Sequence, residues 1–212
     1  YDNGSVTSGP HALGLGLVPD AYRQKLADNI ASCTMNRWGG HVSCGVLGIQ
    51  HLMRALSENA YADLAYSIAS SDTYPSWGYM VSRGATTIWE LWNGDTADPA
   101  MNSRNHVMLL GDLIIWMYEY LGGIRPAEPG FRRIEVAPLM PEGLEHVAVT
   151  YKSPCGPVSN RWERKDGAFR MQLSVPAGVE AIVRLPFKAK CGSMVSDSFE
   201  LGSGNYEFFA NY

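Results

Sequence analysis

The sequence predicts a multidomain fold, α then β: a helical domain over residues 1–125 followed by an antiparallel β-sandwich over residues 126–212. Three observations predict it. Apolar residues recur at helical spacing up to about Leu121 and alternate in short runs after Arg125-Pro126. The two patterns never interleave, and helices then strands, segregated in sequence, specify two domains. Between the third and fourth helical patterns lies an irregular stretch, Asp72 to Arg104, holding Trp77, Trp89 and Trp92 among several Gly and Pro. A stretch that long and that aromatic in a compact domain is usually functional.

In chain order, Asp20 is placed to cap a helix running to about Asn36, with Tyr22, Leu26 and Ile30 on one face at four-residue spacing. Val46, Ile49, Leu52, Met53 and Leu56 mark a second helix over about 44–57, ended by polar Ser57-Glu58-Asn59. Asn59 then caps a third, with Leu64, Ala65 and Ile68, to about Ser70. A fourth is expected from Asn105, capped by Ser103, to about Leu121. It turns Val107, Leu110, Ile114, Met117 and Leu121 inward and stops at Gly122-Gly123. In the second half, residues 131–138, 146–153, 156–165, 168–175, 180–186 and 204–211 are β-branched or aromatic runs. Pro-Glu-Gly, Ser-Pro-Cys-Gly-Pro and Asp-Gly separate them. Val147, Val149 and Tyr151 alternate with polar or small residues, as do Phe169, Met171, Leu173 and Val175, and Lys165-Asp166-Gly167-Ala168 signals a hairpin.

Composition narrows the function classes. A net charge of −4 supplies no basic field, which disfavours nucleic acid as a partner. The longest apolar run, Leu109 to Met117, is interrupted by Gly111 and Asp112, so no membrane span is expected. Cys33, Cys44, Cys155 and Cys191 show no metal-site spacing; they read as free thiols, with Cys33–Cys44 and Cys155–Cys191 as the alternative disulfide pairings. No metal or other cofactor is expected, since neither His41 nor His106 has a carboxylate or Cys at ligand spacing. A Gly-x-Ser-x-Gly elbow, a phosphate loop and an HExxH motif are all missing from the sequence. Tyr1-Asp2-Asn3-Gly4-Ser5 reads as neither a signal peptide nor an initiation site, and four helices are too few for a closed toroid of hairpins. The sequence therefore reads as part of something longer, whose exposed helix faces would make the chain alone self-associate.

The most pointed chemistry lies in Gly84-Ala85-Thr86-Thr87-Ile88-Trp89-Glu90-Leu91-Trp92. Indole faces stack on the C–H face of a sugar, and their bulk excludes water from a neighbouring carboxylate. The plainer alternative is a surface Glu90 with its two tryptophans packed in the core. Asn102-Ser103-Arg104-Asn105-His106 and Gly39-Gly40-His41-Val42-Ser43 each place a His ahead of a helix, where loops gather at one mouth of a helical barrel.

These residues carry a resemblance. Ala12-Leu13-Gly14-Leu15-Gly16-Leu17-Val18-Pro19, Gly39-Gly40-His41-Val42-Ser43 with Gly45-Val46-Leu47-Gly48, and Thr73-Tyr74-Pro75-Ser76-Trp77-Gly78-Tyr79-Met80 resemble the bacterial α-L-rhamnosidases of glycoside hydrolase family 78. So do Ala85-Thr86-Thr87-Ile88-Trp89-Glu90, Ser103-Arg104-Asn105-His106, Gly123-Ile124 and Val136-Ala137-Pro138, in order along nearly the whole chain. The resemblance implies the end of an (α/α)6 barrel followed by a β-sandwich, acting on terminal α-L-rhamnosyl residues of a glycoside or polysaccharide with inversion. It implies that Glu90 is the general base, that His106 lies beside the bound sugar, and that Trp89, Trp92, Trp77 and His41 line the pocket. Inverting hydrolysis pairs such a base with a carboxylic acid roughly 6.5–9.5 Å away. The family's acid lies in an upstream Asp- and Arg-rich segment, and residues 1–20 do not resemble it, so a further part of the enzyme or a second chain is expected to supply it. Two other classes remain open: a lyase acting on uronic acids, for which Tyr74, Tyr79, Arg83 and Arg104 are available, and a non-catalytic sugar-binding or structural module.

Overall fold

The computed structural model describes residues 5–106 and 111–211, apart from the side chain of Val46. The chain divides into two compact units, Tyr1–Ile115 and Trp116–Tyr212.

The first unit is helical: α1 (Ser8–Gly14), α2 (Asp20–Trp38), α3 (Val46–Glu58), α4 (Ala62–Ser70), α5 (Trp77–Ser82) and α6 (Asp112–Trp116). Its centre is α3, whose Ile49, Leu52, Met53 and Leu56 recur three and four residues apart and are buried. Each such side chain contributes about 1.5–3 kcal/mol by leaving water. α1, α2 and α4 pack on this helix. α1 approaches it closely because Gly14 has no side chain; a Cβ there would lie 2.2 Å from the His51 ring. Arg54 of α3 grips Asp112 of α6 through two bonds, 2.8 and 3.1 Å long.

Several boundaries differ from expectation for local reasons. Asp20 is the first helical residue, with Pro19 at the cap; its charge favours the positive end of α2. Tyr22 is exposed although Ile30 is buried, because only a narrow stripe of α2 meets its neighbours. Asn59 closes α3 rather than opening α4: its Nδ2 donates to Ala55 O at 2.7 Å, and Tyr61 holds the cap position of α4. The irregular stretch contains a short helix, α5, started by Ser76, whose Oγ accepts from Tyr79 N at 2.9 Å. Asn105 does not begin a helix, since Ser103 and His106 bond to residues 88–90 instead. Val107 and Leu110 lie outside the described residues. Past Asp112 the chain turns through a π-helical segment, Met117–Leu121. Trp116, Tyr120 and Leu121 are buried along this stretch, whereas Ile114 and Met117, expected to face inward, are exposed. Among the described residues no helix is long and apolar enough to cross a membrane.

The second unit carries β1 (Ile124–Pro126), β2 (Arg133–Val136), β3 (His146–Ser153), β4 (Gly156–Lys165), β5 (Ala168–Val175), β6 (Glu180–Cys191), β7 (Met194–Leu201) and β8 (Gly204–Asn211). The strands form one hydrogen-bonded sheet in the order β1-β2-β6-β8-β5-β4-β3, with β7 also on β6. A register shift between Arg184 and Ala189 divides β6. Its first half pairs with β2 and its end with β8, so one strand turns the corner between two layers. The pairing of β2 with β6 is parallel, against the expected all-antiparallel arrangement, because β2 arrives from β1 rather than by a hairpin from β6. The Asp166-Gly167 hairpin forms as expected, both residues at positive φ and Lys165 opposite Ala168. Phe169, Met171, Leu173 and Val175 all face the core, with Val158, Trp162, Val183, Phe199 and Phe208. β1, β7 and the end of β6 had no clear alternating pattern: Met194 and Val195 are exposed, and Lys188 and Lys190 interrupt the apolar run.

Candidate active site

Two stretches of the helical unit, 87–91 and 102–106, run antiparallel without forming a regular strand pair. Glu90 N donates to Ser103 O at 2.9 Å and His106 N to Ile88 O at 2.7 Å. The Thr87 hydroxyl donates to Arg104 O, and Leu91 N donates to Asn102 Oδ1 at 3.2 Å. This ribbon brings two of the sequence-predicted site residues together. Ser103 N holds Glu90 Oε2 at 3.0 Å, and His106 Nδ1 lies 4.0 Å from the same oxygen. The Glu90 side chain is 36% exposed and that of His106 25%, so both reach solvent. Among the described residues no hydrogen-bond partner is found for Glu90 Oε1, which leaves it available to a water or a ligand.

Tryptophans support the ribbon rather than surround it evenly. Trp89 turns inward and is 5% exposed, its indole packed on Gly94. Trp92 is half-buried; its Nε1 donates to Cys44 O at 2.9 Å and its ring meets Trp77 edge-on at 5.2 Å. Trp77 is itself buried at the start of α5. Glu90 is thus partly exposed while Trp77 and Trp89 are core residues, a mixture of the functional and the plain expectations. His41 bridges two loops: Nε2 lies 2.7 Å from Thr73 Oγ1, on the loop after α4, and Nδ1 3.1 Å from Gly39 O. All four cysteines are free thiols, and burial pushes the Cys44 thiol up to about 12, which excludes it as a nucleophile near neutral pH.

A second set of groups, less visible in sequence, braces this loop. The Asp95 carboxylate accepts from Arg83 Nε at 2.8 Å and from the Tyr79 hydroxyl at 3.1 Å. The Arg83 bond, ahead of the others, holds its carboxyl below the usual range. Arg104 donates from Nε to Gly94 O at 3.1 Å and from an Nη to Asp95 O at 3.4 Å. Asp112 is likewise committed, to Arg54. A carboxyl held low in this way, as Asp95 is, does not keep a proton ready for a leaving group. Sequence spacing had no means of finding the Asp95 cluster, because its members lie 12 and 16 residues apart with no periodic pattern. Among the described residues no group of three or more His, Cys, Asp or Glu forms a metal site.

A helical unit is thus followed in sequence by a β unit, and a carboxylate and an imidazole meet on an aromatic loop of the first. Residues 1–121 match the family model described as bacterial alpha-L-rhamnosidase 6 hairpin glycosidase domain, and residues 123–200 that of the bacterial alpha-L-rhamnosidase C-terminal domain. An alpha-L-rhamnosidase of Streptomyces avermitilis is 35% identical over 216 residues, covering 92% of this chain and 20% of that protein. One from Formosa agariphila is 34% identical over 169 residues, 77% of this chain and 18% of its own length. The crystal structure of the Streptomyces avermitilis alpha-L-rhamnosidase complexed with L-rhamnose superposes with a TM-score of 0.91 at 32% identity, over 98% of this chain and 22% of that one. The alpha-L-rhamnosidase from Dictyoglumus thermophilum gives 0.90 at 30%, over 98% and 25%. The chain belongs to the bacterial alpha-L-rhamnosidase family. It spans about a fifth of the length of the curated relatives it matches.

Proposed function

We propose that this chain supplies the general-base side of an enzyme that hydrolyses terminal α-L-rhamnosyl residues with inversion. The observation that carries this reading is the Glu90 carboxylate, held by Ser103 N through one oxygen and open at the other, beside His106. Glu90 Oε1 takes a proton from a water as that water forms its bond to the anomeric carbon. The glycosidic C–O bond breaks on the opposite face of the ring, and a carboxylic acid protonates the departing oxygen. That acid comes from a part of the enzyme beyond these 212 residues, in keeping with the fivefold greater length of the relatives. His106 and Trp92, both partly exposed, contact the sugar; Trp89, Trp77 and His41 form the backing of that wall. The catalytic portion ends near residue 125 and the β-sandwich that follows is a separate domain.

A uronate lyase draws less support. Arg83 and Tyr79 are bonded to Asp95, and Arg104 to backbone carbonyls, so three of the four groups that would bind and deprotonate an acidic sugar are already engaged; the fourth, Tyr74, is exposed. The test is release of rhamnose from an aryl α-L-rhamnoside by the protein as its gene encodes it, beside the Glu90→Gln variant. Loss of the base lowers kcat by ~10²–10⁴-fold, and proton NMR of the first product shows the β-anomer. A variant with the parent's rate sinks the assignment; a parent with no hydrolysis but tight rhamnoside binding favours a binding module.

A further inference from the structure

Glu90 sits on a loop, and a loop holds a carboxylate in place only if its own backbone is pinned. The turn that follows it, Leu91 to Gly94, is closed internally by Gly94 N donating to Leu91 O at 3.1 Å. The two outward groups at its ends, Leu91 N and Gly94 O, are both taken by one side chain. Asn102 Oδ1 accepts from Leu91 N at 3.2 Å, and Asn102 Nδ2 donates to Gly94 O at 3.3 Å. The next residue, Ser103, gives its N–H to Glu90 Oε2 and its carbonyl to Glu90 N. Residues 102 and 103 therefore hold the carboxylate, its own peptide and both ends of the turn behind it.

We propose that Asn102 is the positioning residue of Glu90, an inference that rests on the general-base reading above. Its planar amide presents an N–H donor and a carbonyl acceptor side by side, which matches the Leu91 N–H and the Gly94 carbonyl at the two ends of the turn. Arg104 shares the Gly94 carbonyl and strengthens the brace, but it does not reach Leu91 N in the observed pairing. Without the amide, Leu91 N turns to water and Gly94 O keeps only Arg104, the turn loosens at the end next to Glu90, and the carboxylate is carried away from the line of attack.

The test uses the protein as its gene encodes it, with an aryl α-L-rhamnoside, and compares Asn102→Ala, Asn102→Asp and Glu90→Gln. Misplacing a reacting group by about 1 Å costs up to ~10²-fold, so Asn102→Ala should lower kcat by about ten- to a hundredfold and leave KM within about twofold. Asn102→Asp keeps the acceptor for Leu91 N, loses the donor to Gly94 O and adds a negative charge beside Ser103. It should lower kcat less and move the acidic limb of kcat/KM to higher pH, since a like charge disfavours an ionised carboxylate. Thermal melting of each variant is followed in parallel. A kcat loss in Asn102→Ala that merely tracks a fall in melting temperature, with the acidic limb of Asn102→Asp unmoved, overturns the proposal. So does a parental kcat in Asn102→Ala beside an inactive Glu90→Gln, which leaves the base assignment standing. A parental kcat in Glu90→Gln removes both.

Discussion

Replacing Gly94 with alanine adds one methyl group at the point where the loop closes on Trp89. A Cβ there would lie 2.8 Å from Trp89 Cδ2 and 2.9 Å from both its Cβ and Cε3, where 3.4 Å begins ordinary contact. At least about 0.5 Å of movement is needed, and neither partner gives way cheaply. Trp89 is 5% exposed, and the Gly94 carbonyl is held by both Asn102 and Arg104. Overpacking of this kind costs about 1–3 kcal/mol. At roughly 2–4 °C per kcal/mol for a chain of this size, the melting temperature should fall by about 4–8 °C for a cost near 2 kcal/mol. The assay is thermal unfolding followed by near-ultraviolet circular dichroism, which reports indole packing directly. Gly202→Ala serves as the control, because a methyl there meets nothing within 4 Å. If Gly94→Ala melts within about 1 °C of the parent with an unchanged indole spectrum, the close packing of Trp89 on this turn is wrong.

Arg54→Leu leaves Asp112 buried without its two guanidinium bonds. That should cost about 3–5 kcal/mol by denaturant unfolding, with much of it recovered in the Arg54→Leu/Asp112→Leu double variant. His51 titrates below its ordinary value because burial disfavours its charge, followed by the nearby His11 and Arg54, with Asp112 opposing. A folded-state pKa lower than the unfolded one, about 6.5, means the unfolded chain binds the proton first. Stability should therefore be full above pH ~6.5 and decline as pH falls through the lowered value, and His51→Gln should flatten that decline in a melting series from pH 8 to 5. Maleimide labelling at pH 8 should modify Cys33 and Cys155, which are partly exposed, well before the buried Cys44 and Cys191. Early labelling of Cys44 in mass spectra would contradict its raised pKa. Expressed alone, the 212 residues should self-associate through exposed Leu15, Leu17, Tyr22, Met35 and Trp38, seen as a concentration-dependent mass in light scattering.

The sequence by itself determined what depends on short-range pattern. Period-3.6 spacing in α3 and period-2 spacing in β5 each set one apolar face, and the structure buries those faces. The Asp-Gly hairpin needed only its two residues, because positive φ at both is a local preference. The carboxylate among tryptophans was visible because its members are adjacent in the chain. What only the tertiary structure decided depends on groups distant in sequence or on competition between local preferences. Ser103 had the chemistry of a helix cap, and its Oγ does accept from Asn105 N, yet no helix starts at Asn105 because the Ser103 carbonyl and the His106 N–H pair with Glu90 N and Ile88 O across the ribbon. Tryptophans on either side of Glu90 suggested an enclosed carboxylate, but Trp89 turned into the core and left Glu90 partly open. The Asn102 brace and the Asp95 cluster have no periodic signature at all: they exist because folding brings the Asn102 amide to backbone groups 8 and 11 residues away and the Asp95 carboxylate to side chains 12 and 16 residues away. Pattern names the carboxylate; only the folded loop shows which oxygen is held and which is left open.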